Sequence, residues 1–298
     1  MKVARKIMPI PLLSLRLLSS AWRFTRFSAA ALVQALSDTL VIQSFKEGPT
    51  PAWIKRCLET VRGLCELNSW DYQFFGDELF APLPTDFVAK VGQRGPILSD
   101  LGRLLMIREM LSSYQRVLWL DADTLIFNVQ AFQLPKGLFG FGRERWVQPK
   151  ELASKEKPRK WKVYRSVCNA LCYFERGAPF LDYYIYACQT IIDRADPAFI
   201  APQMIGPKLL TALNNITPLP LTHCVGSASP DLIVDLSEGE GEALRRYRDD
   251  LELDQRCERE AGLNLCHSLI GVETYHGVSM TERHLLNAID ELLKRGAV

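Results

Sequence analysis

The sequence lacks an apolar run long enough to cross a bilayer, has no C-x-x-C pair, and shows no strong excess of either charge. A membrane-spanning helix takes about 20 apolar residues, so none is expected. Eight scattered cysteines without C-x-x-C spacing argue against a zinc ribbon and favour reduced, mostly buried thiols in a cytoplasmic protein. A formal net charge of +2, with no basic patch beyond the N-terminus, predicts no nucleic-acid partner.

The N-terminal segment differs from the rest of the chain because it contains no acidic residue before Asp38. Basic residues alternate there with leucines and aromatic residues, which is typical of a helix that lies on an anionic membrane surface. Residues 1–38 are therefore predicted to be a leader, either basic and amphipathic or disordered. The amphipathic alternative predicts peripheral membrane contact through residues 1–30. Residues 39–298 are predicted to form one domain.

The first half of that domain alternates between strand and helix patterns. An α/β fold is predicted from this alternation, with a Rossmann-type, mostly parallel sheet flanked by helices in a single domain. Thr50 and Ser99 are the expected N-caps of the first two helices. The predicted segments are strands at 40–45, 70–75, 117–120 and 166–174, and helices at 52–67, 100–112, 179–192 and 281–295.

Two aspartates end the most apolar of these strands. Asp121 and Asp123 follow Val117-Leu118-Trp119-Leu120 and are separated only by Ala122. An apolar run of this kind is typical of a strand buried on both faces, and ligand crevices lie at the carboxyl ends of such strands. Two neighbouring carboxylates repel each other unless a cation lies between them. The pair therefore predicts a divalent metal, Mn²⁺ or Mg²⁺, that binds a phosphate group.

Two other interpretations of the pair stay open. In a haloacid-dehalogenase-type phosphatase, Asp121 would be the nucleophile and Asp123 the general acid and base. Against this, a long folded segment precedes the motif, and Thr124 stands where a glycine is usual in such enzymes. In a non-catalytic binding protein, Asp123 would only cap the turn after the strand.

The D-x-D motif and its surroundings resemble the glycosyltransferases of the GT-A, or nucleotide-diphospho-sugar transferase, fold. Around the motif, residues 103–125 are similar to family eight. The wider pattern resembles family thirty-two more closely, in the segments 41–45, 48–53, 70–72, 168–170, 177–180 and 205–207.

The resemblance implies a metal-dependent, retaining hexosyltransferase that moves a sugar from a UDP- or GDP-sugar to a glycan or lipid-linked acceptor, as in surface polysaccharide synthesis. It implies that Asp121 and Asp123 are catalytic and bind the metal, with His276 as a further ligand. Asp100, Arg103 and Asn169 would bind the nucleotide-sugar donor.

Two charged segments are predicted to be solvent-exposed. Residues 142–162 are basic and without periodicity, which predicts a mobile loop that could close over the donor. Residues 238–262 are heavily charged and are predicted to form a helix with a solvated face. The final helix is expected to be capped by Ser279 or Thr281, and structural roles are expected for His223 and His284.

Overall fold

A six-stranded mixed sheet with helices on both faces forms the centre of the protein. The computed structural model describes residues 37–150, 160–255 and 259–298. The predicted leader, and with it the predicted membrane contact through residues 1–30, lies outside the described residues apart from its last two positions. In the described residues no helix is long and apolar enough to span a membrane.

The described strands and helices alternate through the first half of the chain and are named here in chain order. The strands are β1 (Thr39–Ser44), β2 (Asp71–Phe75), β3 (Arg116–Leu120), β4 (Thr124–Ile126), β5 (Phe139–Arg143), β6 (Trp146–Pro149), β7 (Trp161–Tyr164), β8 (Val167–Glu175), β9 (Leu221–Thr222), β10 (Val225–Ser227) and β11 (Gly262–Asn264). The helices are α1 (Ala52–Asn68), α2 (Thr85–Val91), α3 (Gly95–Met110), α4 (Pro179–Arg194), α5 (Pro207–Ile216), α6 (Pro230–Glu238), α7 (Glu242–Leu253) and α8 (Glu282–Arg295).

The central sheet has the strand order β2-β1-β3-β8-β5-β9. The pairs β1–β2, β1–β3 and β5–β9 are parallel, whereas β8 runs antiparallel to both β3 and β5. A smaller sheet has the order β10-β11-β4, and β6 and β7 form a separate antiparallel pair. The predicted α/β class, with a mostly parallel central sheet flanked by helices, is confirmed.

Strand β3 is buried on both faces, as its apolar run predicts. Val117 and Trp119 pack into a core cluster with Leu101 and Leu104 of α3. The alternate residues of β3 face the opposite cluster, where Leu118 contacts a layer that includes Val61 of α1. Each such side chain contributes roughly 1.5–3 kcal/mol when it is fully buried, so the strand is fixed in register at the point where the two aspartates follow it.

Helix boundaries near the cleft differ from the predicted ones. Helix α3 begins at Gly95, with Arg94 at the N-cap, so Ser99 lies inside the helix and does not cap it. Pro96 belongs to the first turn, where its missing N–H costs no hydrogen bond. Helix α1 has Pro51, not Thr50, at its N-cap. Thr281 caps α8 in a capping box with His284, which confirms one of the two predicted caps.

The described ends of the segment 142–162 form strands instead of the loop that their composition predicts. Strand β5 continues to Arg143, and β6 and β7 pair over four residues from Trp146↔Tyr164 to Pro149↔Trp161. Val147 is buried in a core cluster, with Trp161 and Val163 packed against it, and this apolar face accounts for the pairing. Residues 151–159, the centre of the predicted lid, lie outside the described residues.

The charged segment 238–262 contains the predicted helix, α7, which keeps exposed charges on one face, but some of the segment's acidic residues are buried. Asp250, Asp254 and Glu260 surround the buried guanidinium of Arg145 at 3.0, 3.0 and 2.8 Å. His223 joins the group through Asp254, at 3.1 Å from its Nδ1. Arg165 also contacts Asp250, at 2.9 Å. Because these ion pairs are buried, they hold α7 and the residues after it to the start of β6.

Candidate active site

The two aspartates lie where β3 leaves the centre of the sheet. The backbone N–H of Asp121 donates to the carbonyl of Ala170 on β8 at 2.8 Å. The N–H of Thr124 donates to the carbonyl of Asp121 at 3.0 Å, which closes a tight turn. Since β4 starts at Thr124, the pair Asp121 and Asp123 is fixed between two strands.

Asp121 is held by two side chains on the same face of the sheet. Its Oδ1 accepts a hydrogen bond from Trp119 Nε1 at 2.6 Å and lies 3.0 Å from Arg103 Nη1 in a salt bridge. Residues 119 and 121 are two apart along the strand, so their side chains point to one face. The Arg103 guanidinium also lies 4.9 Å from the centre of the Trp119 ring. The Asp121 side chain stays 29% exposed, so it remains accessible from the cleft.

Arg103 is the centre of a buried polar cluster. It donates from Nη1 to the carbonyl of Asn169 at 2.7 Å, and its Nη2 lies 3.4 Å from Asp100 Oδ1. Burial favours its neutral form, but the carboxylates of Asp121 and Asp100 outweigh this and raise the pKa of Arg103 above its ordinary value. Arg103 therefore stays charged and offsets much of the negative charge of Asp121.

Asp100 and Asn169 lie behind Arg103. Asn169 Nδ2 donates to Asp100 Oδ1 at 2.7 Å, and both residues are buried. Burial raises the pKa of Asp100 to about 6, although Arg103 and the Asn169 hydrogen bond lower it. The structure thus brings together Asp100, Arg103 and Asn169, the three residues expected to bind the donor. Of these three, Arg103 lines the cleft, and the other two hold it from behind.

Gly206 closes this cluster from the start of α5. A Cβ atom at this position would lie 2.4 Å from Asp100 Oδ2 and 3.0 Å from Asn169 Nδ2. Only a residue without a side chain fits so close to a buried carboxylate. Gly206 belongs to the Ile205-Gly206-Pro207 segment of the family-thirty-two resemblance, and the structure gives that glycine a steric reason.

Asp123 is fixed by the small sheet. Strand β4 pairs with β11 so that Thr124 lies opposite Asn264. The register brings Asn264 Nδ2 to 2.7 Å from Asp123 Oδ1. The second oxygen, Oδ2, accepts the backbone N–H of His267 at 2.7 Å. Burial, and after it the charge of Asp121, raises the pKa of Asp123 to about 6.

Both aspartates line one cleft of about 450 Å³, called here the D-x-D cleft. Its walls come from the ends of β1, β2 and β3, from the start of α3 and from the turn that follows β11. The residues that line it include Lys46, Arg103, Trp119, Asp121, Asp123, His267 and Ser268. A cleft of about 500 Å³ beside His223 and Arg259 is slightly larger, but none of the predicted site residues lines it.

The histidine that the structure brings to the aspartates is His267, which sequence reasoning missed. Its ring lies 5.4 Å from that of Phe45 and 5.6 Å from that of Trp53. His276 does not line the D-x-D cleft, and its ring lies 4.9 Å from that of Tyr275. It is close to Asp231, whose pKa is raised by burial although hydrogen bonds and His276 lower it. The contacts of Asp123 with Asn264 and His267 could not be predicted from a local motif, because more than 140 positions separate these residues from Asp123.

Comparisons with known proteins give distant structural similarity alone. No protein-family model and no curated protein matches the sequence. A glycosyltransferase involved in glycosylation of the major capsid of PBCV-1 is 12% identical, with a TM-score of 0.42 over 84% of this chain and 98% of that chain. Mouse xyloside xylosyltransferase 1 is 12% identical, with a TM-score of 0.39 over 78% of this chain and 98% of that chain. A putative nucleotide-diphospho-sugar transferase from Desulfovibrio desulfuricans is 11% identical, with a TM-score of 0.33 over 73% and 96% of the two chains.

Because these structures are only 11–12% identical to the chain, the function has to be inferred from the site itself. Among the described residues, no group of three or more His, Cys, Asp and Glu side chains could hold a metal ion. Asp121 nevertheless contributes to the raised pKa of Asp123, and a cation bound between the two carboxylates would lower that pKa again. Mg²⁺ and similar ions often bind through one or two carboxylates and take their other ligands from phosphate and water. The two aspartates would fit a metal of this kind if it bound together with a phosphorylated ligand.

Proposed function

We propose that the protein is a metal-dependent glycosyltransferase of the GT-A type that uses a nucleotide-diphosphate sugar. The observation that supports this best is the pair Asp121 and Asp123 at the carboxyl end of a central strand, in one cleft with Arg103. Pairs of carboxylates in this position suit a ligand that brings both a metal ion and phosphate groups.

Asp121 and Asp123 are the proposed metal ligands. His276 is left out of the proposed set because it does not line the D-x-D cleft. When bound, Mn²⁺ or Mg²⁺ would neutralise charge that develops on the departing diphosphate. Trp119 and Arg103 keep Asp121 in place, and Asn264 and the His267 N–H keep Asp123 in place. Ligands held in this way lose little conformational entropy when the ion binds.

Two cationic side chains suit the diphosphate in the same cleft. Lys46 follows β1 and Arg103 projects from α3, and both line the D-x-D cleft. Arg103 already contacts Asp121, whereas the Lys46 side chain is exposed and can meet a phosphate. Together with the ion they would supply the positive charge that a UDP- or GDP-sugar requires.

The finer parts of the proposal rest on the sequence resemblance. It leads us to propose hexose transfer with retention at the anomeric carbon, to a glycan or lipid-linked acceptor, in surface polysaccharide synthesis. Neither aspartate is proposed as a covalent nucleophile.

The site geometry disfavours the phosphatase alternative. That mechanism requires Asp123 to carry and release a proton near the substrate. Both oxygens of Asp123 accept hydrogen bonds from N–H groups, and these bonds favour the ionised carboxylate, although burial and the charge of Asp121 raise its pKa. The carboxylate is therefore better suited to bind a cation than to deliver a proton.

The first prediction is metal-dependent release of nucleoside diphosphate. The purified full chain is incubated with Mn²⁺ and each member of a panel of UDP- and GDP-sugars, and nucleoside diphosphate is measured. Asp121→Asn and Asp123→Asn should each lower the rate at least about 100-fold, because each removes a charged metal ligand. Asp182→Asn, on α4 with its side chain 78% exposed, is the matched control and should retain the wild-type rate.

Release that needs no metal, or that persists in both aspartate variants, would contradict the proposal. So would inorganic phosphate released from a phosphomonoester in place of nucleoside diphosphate from a sugar donor. Circular dichroism of each variant separates loss of chemistry from loss of fold.

A further inference from the structure

The larger of the two clefts described above is separate from the D-x-D cleft and is called here the amide pocket. It has a volume of about 500 Å³, and its described walls come from the stretch after β4, from residues 221–224 and from Gln255 and Arg259. Small-molecule sites occupy clefts of about 300–1,000 Å³, so this pocket is large enough to bind a ligand. None of its described lining residues also lines the D-x-D cleft.

Hydrogen bonds between these segments hold the walls of the amide pocket in place. Thr222 Oγ1 donates to the carbonyl of Gln133 at 2.8 Å. The backbone N–H of Asn128 donates to the carbonyl of Ala261 at 3.0 Å, and the N–H of Ala261 donates to the carbonyl of Cys224 at 2.7 Å. The pocket is therefore formed before a ligand binds, and a ligand does not have to order its walls.

The described lining of the pocket offers amide groups and a guanidinium. Side-chain amides come from Asn128, Gln130, Gln133 and Gln255, and the guanidinium comes from Arg259. No Asp or Glu is among the described residues that line the pocket. Within the part of the chain that the structure describes, none of these five side chains takes part in a hydrogen bond or an ion pair. Their polar groups are therefore available to a ligand.

The acidic residues nearest to this lining in the chain do not face the pocket. Asp254 and Glu260 lie 3.0 and 2.8 Å from the buried guanidinium of Arg145, which compensates their charge. Asp254 also contacts His223, at 3.1 Å from its Nδ1. The exposed Arg259 is therefore the permanently charged group that the described lining presents to a ligand.

These groups match a ligand that combines hydroxyl groups with a negative charge. A side-chain amide both donates and accepts hydrogen bonds, and a hydroxyl group does the same. A guanidinium binds a carboxylate or a phosphate through two parallel N–H groups. A sugar that carries a carboxylate or a phosphate has both features.

We propose that the amide pocket is a second ligand site, which binds an anionic sugar. The carboxylate or phosphate of the sugar pairs with Arg259, and the amides of Gln130, Gln133 and Gln255 bind its hydroxyl groups. This site is independent of the glycosyl transfer proposed for the D-x-D cleft.

The position of the pocket on the small sheet makes this independence testable. Strands β4 and β11 pair from Thr124↔Asn264, beside Asp123, to Ile126↔Gly262. Asn128 and Arg259 come after the second end of that pair, so the pocket and the aspartates lie at opposite ends of it. Binding in the amide pocket should therefore survive the loss of both aspartates.

The second prediction tests the pocket by calorimetric titration of the full chain with glucuronate, galacturonate, glucose 1-phosphate and mannose 6-phosphate. At least one should bind at least about 10-fold more tightly than glucose or mannose, and the uronates and the sugar phosphates together identify which anion is preferred. Arg259→Gln should weaken the best ligand at least about 10-fold, because it removes the charge that pairs with the anion.

Arg108→Gln is the matched control, because it removes a guanidinium whose side chain is 53% exposed on α3, away from the pocket. Its affinity should stay within about 3-fold of the wild type. Failure of every anionic sugar to bind, or equal binding by Arg259→Gln and the wild type, would overturn the proposal. Equally tight binding of inorganic phosphate or acetate would also overturn it, since the sugar would then contribute nothing.

The Asp121→Asn/Asp123→Asn double variant distinguishes the amide pocket from the D-x-D cleft. It should bind the best sugar as the wild type does, whether or not glycosyl transfer is confirmed. Loss of binding in the double variant, with binding retained in Arg259→Gln, would assign the sugar to the D-x-D cleft and overturn the pocket proposal alone.

Discussion

At the scale of single residues, Arg103 connects the groups that the sequence suggested separately. It contacts Asp121 directly, Asn169 through its carbonyl and Asp100 through its carboxylate. The family resemblance implied that Asp100, Arg103 and Asn169 bind the donor. In the structure Arg103 contacts both of the others as well as Asp121. Trp119 and His267 were missed, because an indole in an apolar strand and a histidine after a short strand give no signal of contact with an aspartate.

Glu144 supplies a pH-dependent prediction away from the aspartates. Burial raises the pKa of its carboxyl to about 7, although Ser166 and Arg143 lower it. A carboxyl with a raised pKa in the folded state stabilises the fold while it is neutral, and this contribution is lost as pH rises through its folded pKa. The third prediction is therefore that the contribution of Glu144 lowers the free energy of unfolding by roughly 2–3 kcal/mol between about pH 4.5 and 7.

Urea unfolding at several pH values measures this contribution. Glu144→Gln stays neutral and should flatten that part of the pH profile, while Glu240→Gln, at an exposed site for which no partner is expected, should not. An unchanged slope in Glu144→Gln would show that Glu144 is not neutral in the folded protein at low pH.

At the scale of elements, long periodic segments were predictable and short ones were not. The patterns that predicted β1, α1, β2, β3, β8, α4 and α8 extend over several turns or alternations. Strands β4, β9, β10 and β11 have two or three residues each, too few to show alternation. The β6–β7 hairpin and α7 were predicted as exposed because charge dominates their composition, and the buried ring of carboxylates around Arg145 is not visible in the sequence.

The contact between α5 and α3 gives the fourth prediction. In Gly206→Ala the new methyl group would overlap Asp100 Oδ2, which lies 2.4 Å from the Cβ position. Asp100 must shift, and Arg103 then loses part of its support behind the D-x-D cleft. We expect nucleoside diphosphate release to fall about 10-fold or more, with the fold retained by circular dichroism.

Gly63→Ala is the control for this change. Gly63 lies inside α1, and a Cβ there would meet nothing within 4 Å. This substitution should raise the free energy of unfolding by about 0.5–1 kcal/mol and leave activity unchanged. Wild-type activity in Gly206→Ala would contradict a supporting role for the Asp100–Arg103 contact.

At the scale of the whole molecule, two sheets meet at the site. The central sheet presents Asp121 at the end of β3, and the small sheet holds Asp123 through the pairing of β4 with β11. The class of the fold and the position of the aspartates followed from the sequence, because a buried strand must end near a crevice of the sheet. The second sheet and the position of His267 depend on contacts between distant segments, which local patterns do not encode.

The central claim is that Asp121 and Asp123 bind a divalent ion that carries a nucleoside diphosphate. The most direct test is calorimetric titration of the full chain with UDP and with GDP, each with and without Mn²⁺, in the wild type and in the Asp121→Asn/Asp123→Asn double variant. We predict that one nucleotide binds the wild type at least about 10-fold more tightly with Mn²⁺ than without it, and that the double variant loses this dependence. Equal affinity with and without Mn²⁺, or an unchanged Mn²⁺ dependence in the double variant, would contradict the claim.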